Sequence, residues 1–132
     1  MAKHLLSVLA FIAVSFSVQG LSHFVINKEY FAGISFMRND PIMPMGFTTM
    51  IIQGLIMSLA VTRLAPSGGT VRDGVTVSLA FGLFLAVYIA LTEPAKYAAP
   101  SISAWFMVEG LASTIQFVLF GFLLGLIHHK LT

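Results

Sequence analysis

The sequence predicts an all-α, polytopic membrane protein, built as a bundle of four transmembrane helices. Of its 132 residues, 58% are hydrophobic and only 9% carry a charge. A helix that crosses a bilayer needs roughly 20 largely apolar residues, whereas about a quarter of the residues of a soluble domain are charged. The composition therefore excludes a soluble enzyme, a disordered chain and a nucleic-acid-binding protein, and it makes the lipid bilayer the first expected partner.

Four stretches without Asp, Glu, Lys or Arg, at residues 4–27, 41–62, 74–92 and 110–129, are the basis of the predicted spans. The spans lie at about residues 5–26, 42–63, 73–92 and 102–127, and they predict a single membrane domain over 1–132. The segments between them hold charges, prolines and a Gly-Gly pair, which are typical of turns. The basic and then apolar start of the chain is also typical of a secretory signal. Because the apolar run continues past the cleavage position, we interpret it as a retained first span.

The basic residues are divided unequally between the two ends of the predicted bundle. If the N-terminus is inside, four of the Lys and Arg side chains lie inside and three outside. Cytoplasmic segments are enriched in Lys and Arg, so we expect both termini to be cytoplasmic. The four basic residues inside are then Lys3, Arg63, Arg72 and Lys130.

A faint internal repeat relates the two halves of the chain. SVLAF near residue 7 is similar to VSLAF near residue 77, and Ile52-Gln53 matches Ile115-Gln116. The repeat predicts that the first two helices correspond to the last two in the same orientation, about an axis along the membrane normal. The offsets differ by a few residues, so chance similarity between apolar segments is the alternative.

Small residues recur every four positions on the third predicted helix and mark a packing face. Helices in lipid gain little hydrophobic energy by associating, so they depend on close approach at small side chains. We expect the third helix to pack along this face on the fourth or the first, with a contact between two copies of the chain as the alternative. The packing residues on the third and fourth helices are Gly74, Ser78, Gly82, Ala86, Ala90, Gly121 and Gly125.

Polar side chains within the spans form a candidate pathway or ligand site, because ionisable residues inside a membrane are costly and mark function by default. The candidates are Glu109, His23, Gln116, Gln53 and Gln19. Glu109 is the most informative, since it follows Trp105, a predicted interface anchor, by one turn. A buried Glu109 beside His23 would bind protons or a cation. Alternatively, the fourth helix begins near Glu109, whose charge then only favours the helix N-terminus.

No metal or cofactor is predicted, and no catalytic motif is found, so we do not expect an enzyme. The chain has no cysteine and four histidines; His128 and His129 are adjacent and point to different faces of a helix. Minor alternatives are ligation of a haem or pigment by His23, a three-histidine site that includes His4, and Cu(I) bound by thioethers. The clustered thioethers belong to Met37, Met43, Met45 and Met50.

In its four spans and short joints, the chain is similar to small bacterial four-helix membrane proteins. This architectural similarity implies a bacterial inner-membrane protein and assigns no site residues. From the residues we expect a packing or accessory protein, with itself or other membrane subunits as partner; the almost charge-free body and 12 phenylalanines favour this role. The alternative is a small proton- or cation-coupled carrier or channel that uses Glu109. A membrane enzyme or cofactor-binding protein is the third hypothesis.

Overall fold

The computed structural model describes residues 1–38 and 40–131, and within these ranges the chain is helical, with no strand. A π-helical turn at Ser22–Ile26 directly follows the helix Ala2–Leu21, and a second at Tyr88–Thr92 directly follows the helix Val71–Val87. The α-helices are α1 (Ala2–Leu21), α2 (Lys28–Ala32), α3 (Met43–Leu64), α4 (Val71–Val87), α5 (Glu93–Lys96) and α6 (Ile102–Lys130).

Four helical segments are long and apolar enough to cross a membrane: Ala2–Ile26, Met43–Leu64, Val71–Lys96 and Ile102–Lys130. The first residue of the last segment shows whether Glu109 lies at the start of its helix or inside it. The Ser101 hydroxyl accepts a hydrogen bond from the Ala104 amide at 3.2 Å and caps α6 there. Glu109 therefore lies about two turns inside the helix, and the alternative that the helix begins near Glu109 is wrong.

The order of elements repeats in the two halves of the chain. Each half consists of a long helix, a π-turn, a short helix, a connection and a second long helix. Within the halves α1 packs on α3 and α4 on α6, and between the halves α1 packs on α6 and α3 on α4. The start of α1 and the end of α6 lie at one end of the bundle with the α3–α4 turn. We call this end the terminal end, and the opposite end, which holds α2 and α5, the connection end.

The two π-turns lie at the connection end, and the second has a local cause. Asn27 N–H donates to the Ser22 carbonyl at 2.9 Å, which is the wider spacing of a π-turn. In the other half, Pro94 has no N–H to continue the helical ladder, and the Tyr88–Thr92 turn comes directly before it. The Trp105 indole N–H donates to the Ile89 carbonyl in that turn at 2.9 Å. The Trp105 side chain on α6 thus supplies a hydrogen-bond donor to a backbone carbonyl of the π-turn.

The turn between α3 and α4 is short and depends on glycine. Gly68 has a φ of 116°, a conformation that strains any residue with a Cβ. Two residues later, Thr70 and Asp73 form a reciprocal capping box at the start of α4. The segment in which the sequence predicts a turn therefore reverses the chain sharply at Gly68, and the capped helix α4 follows at once.

Two apolar clusters fill the bundle. The smaller lies at the connection end and consists of Phe31, Ile34 and Trp105. Trp105 is 4% exposed within it, so it does not face lipid headgroups as the predicted interface anchor, because α2 and the residues after it cover the indole. The larger cluster occupies the middle and the terminal end: Phe11, Met57, Val61, Val77, Phe117, Phe120 and Leu124.

The small-residue face of α4 lies against α6 of the same chain. A Cβ built on Gly125 would come within 2.5 Å of the Val71 Cα, and one on Gly82 within 2.5 Å of the Phe117 Cγ. A Cβ on Gly74 would fall on the Gly125 backbone. The two backbones therefore touch at the terminal end, where only glycine fits.

Between these glycines the contact stays close, and it becomes looser only toward the connection end. The Ser78 hydroxyl donates to the Phe117 carbonyl at 2.7 Å across the same contact, where Gly121 faces Ser78. Ala90 is buried near the connection end. Ala86 is half-buried and lines a shallow groove beside Ser113. The close approach is thus concentrated between residues 71 and 82 of α4.

Candidate functional site

Polar side chains from α1 and α6 meet along the interface between these helices. On α1 and the π-turn that extends it they are Ser15, Gln19 and His23, spaced four residues apart and therefore on one side of the segment. On α6 they are Glu109 and Gln116, seven residues apart and on one face as well. We call these five residues the polar chain. Four of them were predicted from the sequence, and Ser15 was missed although its spacing from Gln19 was visible.

Directional hydrogen bonds connect four members of the polar chain. The Gln116 carboxamide donates through Nε2 to the Ser15 hydroxyl at 2.9 Å. Its Oε1 accepts from Gln19 Nε2 at 2.8 Å. The His23 Nδ1 lies 3.0 Å from the Gln19 backbone carbonyl. Because a carbonyl can only accept, this nitrogen carries a proton, and the other ring nitrogen of His23 is the one that is free to gain or lose a proton.

That second nitrogen faces Glu109. The distance from His23 Nε2 to Glu109 Oε1 is 3.4 Å, longer than a direct N–H···O hydrogen bond. Glu109 is 7% exposed, so its carboxyl group is almost entirely enclosed. Carboxyl and imidazole can hold one proton between them, either as an acid beside a neutral ring or as an ion pair. Both arrangements have no net charge, which is the least costly condition in an apolar interior.

The short helix α2 covers this pair at the connection end. The Phe31 ring stacks on the His23 ring, with centroids 3.9 Å apart and an angle of 14° between the planes. Tyr30 donates its hydroxyl hydrogen to the Ser101 carbonyl at 3.2 Å and so fastens α2 to the start of α6. Burial, and then the nearby charge of Glu109, raise the pKa of the Tyr30 phenol. We call α2 the cover.

Three phenylalanines close the polar chain toward the terminal end. Phe11 and Phe120 are fully buried and Phe117 is 3% exposed. The Phe11 ring lies 4.7 Å from that of Phe120 and 5.9 Å from that of Phe117, measured between centroids. We call these residues the aromatic plug. The polar chain therefore reaches from the cover to about the middle of the bundle and ends there.

A second polar group lies beyond the aromatic plug, at the terminal end. The Ser58 hydroxyl is 2.8 Å from His4 Nδ1 and 2.9 Å from His128 Nε2, and it joins α1, α3 and α6. Ser58 is fully buried and His128 is 1% exposed. The sequence analysis named His4 and His128 only within the minor alternative of a three-histidine site, and it did not select Ser58. The available signal was that consecutive spans run in opposite directions, which brings residues 4 and 128 to one depth.

The remaining predicted polar residue, Gln53, lies outside the polar chain. It lines a groove of about 180 Å³ between α3 and α4, together with Ile56, Phe81 and Phe84. The two hydrogen bonds of the Gln116 carboxamide join it to Gln19 and Ser15, and not to Gln53. The structure thus brings together Glu109, His23, Gln116 and Gln19 and places Gln53 on another face of the bundle.

The positions of the possible cofactor ligands can be compared with the chemistry that they would need. One His23 nitrogen is bonded to a carbonyl and the other faces a carboxyl group, so both ring nitrogens have a partner within the chain. Met43 and Met45 are two positions apart on α3 and therefore point to different sides of the helix. Within residues 1–38 and 40–131, no group of three His, Cys, Asp or Glu side chains could hold a metal ion.

Comparison with known proteins adds no assignment. No protein-family model, curated protein or solved structure matches this chain. The functional argument therefore rests on the geometry of the α1–α6 interface.

Proposed function

We propose that this chain is a small proton-coupled membrane carrier, with the Glu109–His23 pair as its proton-binding site. The observation that carries the proposal is this pair itself: a carboxyl group and an imidazole, 3.4 Å apart, in the interior of a bundle of apolar helices. Ionisable groups at such a position are retained against a large desolvation cost, and by default they mark a functional site.

The chemistry of the pair favours coupling between protonation and conformation. With one shared proton the pair is neutral; with two protons it is positive, and with none it is negative. Either charged condition is costly under the cover and far less costly when water reaches the site. Gain or loss of a proton is therefore expected to accompany displacement of α2, which holds Phe31 on the His23 ring.

The aromatic plug favours a carrier over a channel. About 16 Å along α1 separate Ser15 from His4 at 1.5 Å per residue, and the buried Phe11 lies between these two residues. The carboxamides of Gln19 and Gln116, which bond to each other and to Ser15, have no readily ionised proton. A continuous proton path across the bundle would need the plug to open, whereas a site that is reached from one end at a time does not.

The proposed location follows from the same helices. We place the chain in a bacterial inner membrane with both termini in the cytoplasm, because Lys3, Arg63, Arg72 and Lys130 all belong to the terminal end. In this orientation the cover lies on the outer side. The Glu109–His23 pair would then load its proton from outside when α2 moves.

The experiment uses two readouts on protein reconstituted in lipid vesicles. A hydrophobic carbodiimide, which reacts with protonated carboxyl groups in apolar surroundings, should modify Glu109 in the wild type, as located by peptide mass spectrometry. An imposed pH difference should also produce proton uptake into the vesicles, which Glu109→Gln reduces at least tenfold. Glu29→Gln is the matched control, since Glu29 is an exposed acid on α2. An unmodified Glu109 together with equal flux in wild type and Glu109→Gln would reject the proposal.

A second candidate is an accessory or packing subunit of a larger membrane complex. It is favoured by the outer surface of the bundle, where large apolar side chains of α4 such as Phe84, 82% exposed, and Leu83, 68% exposed, project outward. Native mass spectrometry after gentle release from the membrane distinguishes the candidates. Stoichiometric release with larger subunits supports the accessory role, and release without them supports the carrier.

A further inference from the structure

Gln53 is the starting point of an inference that does not depend on the proposed function. It is the eleventh of the 22 residues of α3 and therefore lies at the centre of a helix long enough to span a membrane. Its side chain is half-exposed, and its neighbours Ile52 and Ile56 are 52% and 45% exposed on the outside of the bundle. A carboxamide thus stands at the level where the surroundings are most apolar.

The other uncharged polar side chains of α3 are satisfied within the chain. Thr48, Thr49 and Thr62 donate to the carbonyl four residues before them, and Ser58 is bonded to two histidines. Gln53 has no such bond to any residue in 1–38 or 40–131. Lipid acyl chains cannot supply one, because they carry neither donor nor acceptor. An amide left unpaired in hydrocarbon is strongly unfavourable, and polar side chains of this kind drive helices to associate.

The surface around Gln53 allows another helix to approach. Gly46 lies two turns before Gln53 on the same face, and a Cβ added there would meet no atom within 4 Å. Thr49 lies between them, with its hydroxyl already bonded to the Met45 carbonyl. The groove between α3 and α4 opens directly beside the carboxamide. We call Gly46, Thr49, Gln53 and Ile56 the Gln53 face.

We infer that the Gln53 face is the contact surface for a second copy of this chain, in which the two Gln53 carboxamides hydrogen-bond to each other. A two-fold axis along the membrane normal brings Gln53 of both copies to the same depth, and a carboxamide is self-complementary because it has both a donor and an acceptor. Two carboxamides of this chain, those of Gln19 and Gln116, already make such a bond across a helix interface at 2.8 Å.

Cysteine cross-linking in the native membrane tests the contact, because the chain has no cysteine of its own. Ile56→Cys should form a disulfide-linked dimer under mild oxidation. Ile115→Cys is the matched control, since Ile56 and Ile115 are 45% and 43% exposed near the centres of different helices. Equal cross-linking of both variants, or capture of a different protein by Ile56→Cys, would overturn the inference.

A second measurement isolates the carboxamide. In the Ile56→Cys background, Gln53→Leu should raise the dimer dissociation constant in detergent about tenfold, as expected for one interhelical hydrogen bond. Gln53→Asn keeps a carboxamide and should retain most of the association. Because Gln53 lies on the outside of the bundle, both variants should keep the melting temperature of the monomer. A dissociation constant that Gln53→Leu leaves unchanged contradicts the Gln53–Gln53 bond.

Discussion

Helix α6 presents two very different faces to its neighbours. Toward α4 it offers Gly121 and Gly125, and a Cβ on Gly125 would lie 2.5 Å from the Val71 Cα. Toward α1 it offers Glu109 and Gln116, which are 7% and 5% exposed and face polar partners. The first contact depends on the volume of the side chains, and the second depends on their charge and hydrogen bonding.

This difference teaches how a chain with so few charged residues can hold an ionisable site. Close packing along α4 does not require polar groups, so the α4–α6 pair can form a rigid half of the bundle. The buried Glu109–His23 pair lies instead at the α1–α6 interface, where each member faces the other. Substitutions on the two faces of α6 should consequently lower the stability for different reasons. Toward α4 the cause is side-chain volume, and toward α1 it is charge and hydrogen bonding.

The largest expected effect is that of removing one member of the ionisable pair. His23→Leu leaves the buried Glu109 carboxyl group without its partner and should lower the free energy of unfolding at neutral pH by about 3 kcal/mol. Adding Glu109→Gln should restore most of this loss, because no charge then remains to be buried. A double-mutant cycle by thermal unfolding in detergent measures both values. Additive losses would show that the pair does not act as a unit.

The α4–α6 contact should respond to volume alone. Gly125→Ala places a methyl group against the Val71 backbone and should cost about 2 kcal/mol of unfolding free energy, equally at acidic and neutral pH. Gly110→Ala on the same helix is the matched control, since a Cβ there meets no atom within 4 Å. It should be neutral or slightly stabilising. Equal melting temperatures for the two variants would contradict the close contact.

Hydrogen bonding along the polar chain should have a smaller effect. Gln116→Leu removes the bonds to Ser15 and Gln19 at 2.9 and 2.8 Å, and we expect a loss of about 1 kcal/mol. Thr114→Val is the control, because Thr114 bonds only to its own helix, at the Gly110 carbonyl. If both variants unfold at the same temperature as the wild type, the chain of bonds does not stabilise the interface.

The smallest effect on stability concerns the cover. Tyr30→Phe removes the bond to the Ser101 carbonyl and should cost about 0.5 kcal/mol, yet it should speed carbodiimide modification of Glu109 severalfold because α2 opens more often. Tyr97→Phe alters another tyrosine, which is 48% exposed at the same end, and serves as the comparison. A modification rate that Tyr30→Phe does not change would show that α2 does not control access.

Much of this arrangement could be predicted from the sequence, because it depends on periodic patterns within single helices. The four spans follow from uncharged runs, and the face from Gly74 to Ala90 follows from a spacing of four. Glu109 and His23 were selected because ionisable groups are rare in such runs. Each of these inferences uses one helix at a time and needs no knowledge of its neighbours.

The features that could not be predicted depend on contacts between segments distant in the sequence. Trp105 resembles an interface anchor until α2 is placed over it. The partners of Gln116 could not be chosen from the sequence, because Gln53 and Gln19 are equally plausible on the basis of chemistry. Ser58 between His4 and His128 requires three helices to be set at the correct heights. The π-turn at Ser22–Ile26 leaves no composition signal at all.

That π-turn has a mechanical consequence. Its hydrogen bonds join residues five apart instead of four, so the turn at Ser22–Ile26 holds one residue more than an α-helical turn. His23 lies within this wider turn. If the surplus residue moves along the helix, the backbone between its old and new positions rotates by about 100°, the angle between successive residues. The ring of His23 would swing away from Glu109 while both ends of the helix stay in place. Such a rotation would break the His23–Glu109 contact without separating the helices of the bundle.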